Sequence, residues 1–145
     1  MYNGKNKKPI RSFRDLDVYQ STYSAMLKVA KEVLPKLPES EKFDLRDQLS
    51  RSTKAIPRLI AEGYAKRHQR AGFQKYTDDA MAECNETQVG LEQARDLYGI
   101  DKDLIDSLVD IYDKAGRQLY KLSIAWTTFK NRGTKPINDT GFVTG

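Results

Sequence analysis

Cysteine is almost missing from this chain of 145 residues. Cys84 stands alone, so no disulfide can close within the chain, and a reducing compartment is the expected setting. Histidine is as scarce, with His68 alone. One of each gives little support for a metal site, since no Cys/His pair at ligand spacing and no Glu-x-x-His is present. No run approaches the ~20 apolar residues that a membrane span needs. The basic N-terminus is followed by no apolar stretch, so it does not read as a secretory signal, and a cytoplasmic location is expected. No glycine-rich phosphate loop occurs. No sustained two-residue alternation bounded by turn residues occurs either, which leaves no strand signal.

What is present is helical periodicity. Four segments repeat apolar residues at steps of three and four. The first is predicted over about 15–34, with Leu16, Tyr19, Tyr23, Met26, Leu27, Ala30, Val33 and Leu34 on one face. Pro35 and Pro38 end it, because each disfavours helix at the residue before it. The second follows Ser40, a residue suited to an N-cap, and continues to about Arg67. Its inward face reads Leu45, Leu49, Ser52, Ile56, Leu59, Ile60 and Gly63. Pro57 lies inside this segment, yet the stripe stays in phase on both sides, so a kink rather than a stop is expected. Gly63 falls where the stripe would place a side chain, which points to close approach by another backbone.

The third helix is predicted over about 71–98, with Phe73, Tyr76, Thr77, Ala80, Cys84, Thr87, Leu91, Ala94 and Leu97 inward and Gly99 as its C-cap. The small middle of that stripe implies tight packing against the second helix. The fourth starts near Asp101 and keeps its stripe through Leu104, Leu108, Ile111, Tyr112, Ala115, Leu119, Leu122, Trp126 and Phe129, ending by Gly133 and Pro136. Short connections favour antiparallel neighbours, so an all-α, up-down-up-down four-helix bundle over 14–132 follows. Residues 1–13 read as a basic disordered tail and 133–145 as a disordered C-terminal tail.

No arrangement of these residues reads as an enzyme, and no cofactor is expected. A His68–Cys84 pair would need two groups about four helical turns apart to meet. Cys84 on an inward face reads as inert core. Asp101, Asp103 and Asp106 lack the glycine and the final glutamate of a calcium loop, and read instead as helix capping. The adjacent Asp78 and Asp79 point about 100° apart on a helix.

The remaining signal is charge. The net charge is +5, and it is laid out in blocks: a basic start, an acidic stretch over 71–113, and a basic end. Along the second helix and just beyond it, Arg51, Lys54, Arg58, Lys66, Arg67 and Arg70 outnumber Asp47 and Glu62. Such a row can neutralise phosphates and release counterions, so an RNA or DNA backbone is the expected partner. The alternative is a structural or protein-interaction role, in which the same cations pair with acidic helices of this or another subunit.

Three runs carry a resemblance: FRDLDVYQ at 13–20, LPESEKFDLRDQLSRSTKAIPRLIAEGYAKR at 37–67, and GFQKYTDDAMAECNETQVGLEQARDLYGI at 72–100. They resemble the four-helix-bundle proteins encoded in intervening sequences of bacterial 23S ribosomal RNA genes. That family includes the accessory variability determinant (Avd) proteins of diversity-generating retroelements. The most specific piece is the QLxRSxxAIPxLIAEG pattern at 48–63. Where the family carries an asparagine before the isoleucine of IAEG, this chain has Leu59. The resemblance implies a homopentameric barrel with a positively charged surface, in a family with no established enzymatic activity. For the retroelement members it implies nucleic-acid binding in support of a reverse transcriptase. Arg51, Arg58, Lys66 and Arg67 lie within the matching run.

Overall fold

A computed structural model describes residues 9–133, with side chains as far as Ala125. The two predicted tails fall largely outside the described residues, as do the side chains of Trp126 and Phe129. Within the described residues every element is helical. The four long ones are α1 (Asp17–Lys28), α2 (Leu45–Ala65), α3 (Arg70–Tyr98) and α4 (Lys102–Gly133). α1 touches α2 and α4, and α3 touches α2 and α4, so the four close into a helical bundle around one core.

The entry into α1 is set by a capping box. Ser12 Oγ accepts from the Arg14 amide at 3.1 Å, and the Asp15 carboxylate accepts from the Ser12 amide at 3.1 Å. This closes a separate 3-10 turn, Phe13–Asp15, so α1 begins two residues later than the periodicity predicts. Ile10 and Phe13 pack against the core from this end. At the other end α1 widens into a π-helical turn, Val29–Val33, before Pro35 stops it in a 3-10 turn.

The inward face of α1 differs from the predicted one. Leu16 and Val33 are buried as predicted, but the residues buried between them are Val18, Thr22, Ala25 and Val29, while Tyr23 is 44% exposed and Leu27 and Ala30 are also exposed. Small and β-branched side chains let the backbone approach its neighbours. Thr22 is tolerated there because its hydroxyl donates to the Val18 carbonyl at 2.7 Å and brings no unpaired polar atom inside. Tyr19, Tyr23 and Met26 are displaced to the flank that faces α2.

The start of α2 is also handled differently from the prediction. Ser40 lies in a 3-10 turn, Glu39–Glu41, and does not cap α2. Glu41 does so instead: its carboxylate accepts from the Leu45 amide at 3.0 Å and from the Tyr98 hydroxyl at the end of α3. Both bonds favour the ionised form, the Tyr98 bond most, and hold this carboxyl below its ordinary range. α2 then runs unbroken through Pro57, which is buried.

α2 and α3 meet at very short range. A Cβ on Gly90 would lie 2.8 Å from Leu49 Cδ2, and a Cβ on Gly63 would lie 3.1 Å from the Tyr76 Cβ. Between these points the Thr87 hydroxyl donates to Ser52 Oγ at 2.8 Å, both residues being buried. The partner numbers fall in α3 as they rise in α2: 49 with 90, 52 with 87, 63 with 76. α3 meets α4 through Gln74 with Ser123 and Arg95 with Asp106. Gly99, at φ 65°, terminates α3 in the left-handed conformation, and Asp101 caps α4 through the Leu104 amide at 3.2 Å.

The core is completed by Leu49, Ile56, Leu91, Ile105, Leu108, Tyr112 and Leu119, each almost wholly inaccessible. Every fully buried aliphatic side chain contributes ~1.5–3 kcal/mol relative to exposure. Ile105 and Gly90 join the core beyond the predicted stripes. Leu97, predicted inside, is 65% exposed; Tyr98 rather than Leu97 reaches back to the start of α2.

Two glycine substitutions separate packing from propensity. Gly90→Ala must displace the enclosed Leu49, and overpacking of ~1–3 kcal/mol exceeds the ~1 kcal/mol gain in helix propensity. Gly116 has nothing within 4 Å of its added Cβ, so Gly116→Ala should stabilise by ~0.5–1 kcal/mol. Urea denaturation of both variants checks this, with opposite shifts in midpoint expected.

Candidate nucleic-acid interface

The core stripe of α2 fixes which of its side chains face outward. Arg51, Lys54 and Arg58 are exposed, at i, i+3 and i+7. Arg51 pairs with Asp47 at 3.1 Å, one turn earlier, and its side chain remains 74% exposed. Such an exposed pair is worth ~0.2–1 kcal/mol and leaves the guanidinium available. Lys54 and Arg58 form no ion pair within the described residues.

The other three cations lie at the α2–α3 turn. Lys66 is exposed and Arg70 is the first residue of α3. Arg67 is only half-exposed and is committed locally. Its guanidinium stacks 4.0 Å from the centre of the Tyr64 ring and donates to the Tyr64 carbonyl at 2.8 Å. At that place it satisfies a carbonyl in the last turn of α2, where a cation also suits the helix dipole. The structure therefore divides the six predicted residues into two groups. Arg58 and Lys66 are eight residues apart, or roughly 12 Å along the axis. That exceeds the ~8 Å Debye length at physiological salt, so the two groups act on a polyanion nearly independently there.

Carboxylates of α3 border the first group. Gln48, Arg51, Lys54 and Arg58 share a groove with Glu83 and Glu86. No ion pair within 4 Å crosses that groove among the described residues. Burial raises the Glu83 carboxyl above its ordinary range, and the neighbouring Glu86 raises it further; Arg51 pulls the other way without prevailing. Asp79 is taken by Lys75 at 3.0 Å.

The residues weighed for chemistry are placed apart. Cys84 is wholly buried, and burial pushes its thiol up to about 12, so it holds its proton at neutral pH. His68 is exposed in the α2–α3 turn, while Cys84 lies fourteen residues into α3, roughly 21 Å along the axis. Asp106 bonds to Arg95 and Lys102, and Asp101 caps α4, so these aspartates serve the helix ends.

The raised Glu83 carboxyl has a definite sign for stability. The folded state binds this proton more tightly than the unfolded state does, so ionised Glu83 costs stability as pH rises past its ordinary value of 4.5. Glu83→Gln should therefore raise the urea midpoint at pH 7, with the gain fading below pH 4.5. Urea titrations at pH 7 and pH 4 check this; an equal gain at both pH values, or a loss at pH 7, would contradict it.

Among the described residues, no helix is long and apolar enough to cross a membrane. No curated protein and no solved structure matches the chain. A family model does match, over residues 14–121. That span runs from the Phe13–Asp15 turn through α1, α2 and α3 into the second half of α4, and it contains all six cations. By this match over most of its length, the chain belongs to the family of 23S rRNA-intervening sequence proteins.

Proposed function

We propose that this protein is a non-enzymatic nucleic-acid-binding bundle whose outward α2 face, with the α2–α3 turn, contacts the phosphate backbone. The observation that carries this reading is the row of exposed cations on α2. Lys54 and Arg58 stand one turn apart and have no anionic partner among the described residues. A solvated cation releases nothing until a polyanion displaces its counterions, and this sequence-independent exchange drives backbone binding. Arg51, Lys66 and Arg70 extend the row, and Arg67 contributes what its contact with Tyr64 leaves free.

The finer architecture belongs to the same proposal. The up-down-up-down, antiparallel order is supported by the falling register of α3 against α2 and the short connections. Assembly into a homopentamer, action beside a reverse transcriptase, and a cytoplasmic location rest on the resemblance and on the lone cysteine. A pentamer would repeat the basic row around a ring, multiplying weak contacts without new chemistry. The second reading is a structural oligomer in which the basic face pairs subunits. Glu83 and Glu86 favour it, because they show that carboxylates and these cations already share a groove.

Salt-dependent binding decides between the two. Arg51→Ala/Arg58→Ala and Lys66→Ala/Arg67→Ala should each shallow the slope of log affinity against log salt by ~0.7–0.9 for every phosphate contact removed, with different base sequences weakened about equally. Light scattering on the same samples should keep the wild-type mass, near 83 kDa for five copies of a 16.6 kDa chain. Unchanged slopes, or a defect confined to dissociation, would favour the structural reading. A wild-type mass of one chain would remove the pentamer.

A further inference from the structure

Of the grooves that border the basic row, the one between α1 and α2 has a distinct composition. It is lined by Phe13, Tyr19, Tyr23, Met26, Lys54, Pro57, Arg58 and Ala61, with no carboxylate among them. The groove on the other side of Arg58, toward α3, contains Glu62, Asp79 and Glu83. One flank of the basic row is therefore aromatic and uncompensated, and the other is acidic.

The α1–α2 groove has two matched rows. On α1, Tyr19 and Tyr23 are one turn apart, with ring centroids 5.8 Å apart and planes tilted by 31°. Phe13 continues the aromatic row by an edge-on contact with Tyr19 at 5.0 Å, and Arg14 sits 4.5 Å over the Phe13 ring. On α2, Lys54 and Arg58 are also one turn apart, a rise of about 6 Å. Pro57 between them and Ala61 beyond Arg58 are compact; Tyr23 is 44% exposed, and Tyr19 and Phe13 are partly buried against the core.

We propose that this groove holds single-stranded nucleic acid, with unpaired bases stacked against Tyr23 and Tyr19 and with Lys54 and Arg58 on the phosphates. The proposal rests on the backbone-binding reading above and adds the class of ligand. A single strand has both features that the rows require: flat apolar faces on one side of the sugar and charge on the other. Stacking on aromatic side chains tolerates any base and needs the base to be unpaired. A duplex offers only its phosphates to Lys54 and Arg58 and leaves the rings without a partner. A second protein copy in the groove would cover the rings, but it would have to bring carboxylates to both cations or desolvate them unpaired.

The test is fluorescence-anisotropy titration of the full chain with labelled oligothymidylate, oligouridylate and a DNA duplex of equal length. Wild type is compared with Tyr23→Leu, Tyr23→Phe and Lys54→Ala/Arg58→Ala. Tyr23→Leu keeps the groove apolar and removes the ring, so it should weaken single-strand binding about 5-fold or more and leave duplex binding unchanged. Tyr23→Phe should bind single strands as wild type does. Lys54→Ala/Arg58→Ala should weaken single strands and duplex alike. Wild-type single-strand affinity in Tyr23→Leu, with a loss in the charge pair, would overturn the stacking site and leave backbone binding standing. No binding of any probe by wild type at low salt would overturn both. A changed light-scattering mass in Tyr23→Leu, with affinity per assembled particle unaltered, would overturn the proposal in favour of a contact between copies.

Discussion

The close approach of α2 to α3 is the constraint on which the rest of this bundle depends. Gly63 lies against Tyr76, Gly90 lies against Leu49, and the Ser52–Thr87 hydroxyl pair is sealed between them. None of these contacts tolerates a larger side chain without movement, so the face of α2 turned toward α3 is fixed along its length. A helix with one face fixed has its other faces assigned by geometry at 100° per residue. Arg51, Lys54 and Arg58 consequently point outward, and Pro57 and Ala61 fall on the flank nearest α1. The outward charge of α2 and the tight interior seam are two consequences of one helical phase.

Electrostatics around α2 follow from what borders each flank. Toward α3 the cations meet Glu62, Asp79, Glu83 and Glu86, of which only Glu83 is partly buried, and that burial together with the neighbouring Glu86 raises its carboxyl above the ordinary range. Toward α1 they meet rings and no carboxylate. At the α2–α3 turn, Arg67 is held by Tyr64, which makes it a structural cap before it is a binding residue. A row of cations that looks uniform in sequence is thus three environments in space.

Much of the fold was legible because helix ends and phases are local. Gly99 and Asp101 terminate and cap as their residue types require, and the α2 stripe, including the contact at Gly63, lies where its spacing puts it. What was not legible depended on neighbours. The α1 pattern contains two apolar faces, and only the approach of α2 and α4 selects Val18, Thr22, Ala25 and Val29 over the larger Tyr23 and Leu27. Ser40 had the better capping side chain, but Glu41 can also take the Tyr98 hydroxyl, a partner 57 residues away. The cations of the candidate interface were readable as a row; which of them were already engaged, and the aromatic groove beside Lys54 and Arg58, were visible only once α1 and α2 were side by side.

Lysine footprinting tests most directly whether the outward side of α2 is the nucleic-acid surface. The full chain would be acetylated briefly with and without a single-stranded oligonucleotide, and each lysine read by mass spectrometry. Lys54 and Lys66 should be protected by the oligonucleotide, while Lys31 after α1 and Lys102 at the start of α4 keep their reactivity. Protection confined to Lys31 and Lys102, or no protection of Lys54 under conditions where the oligonucleotide is bound, would contradict the assignment of α2.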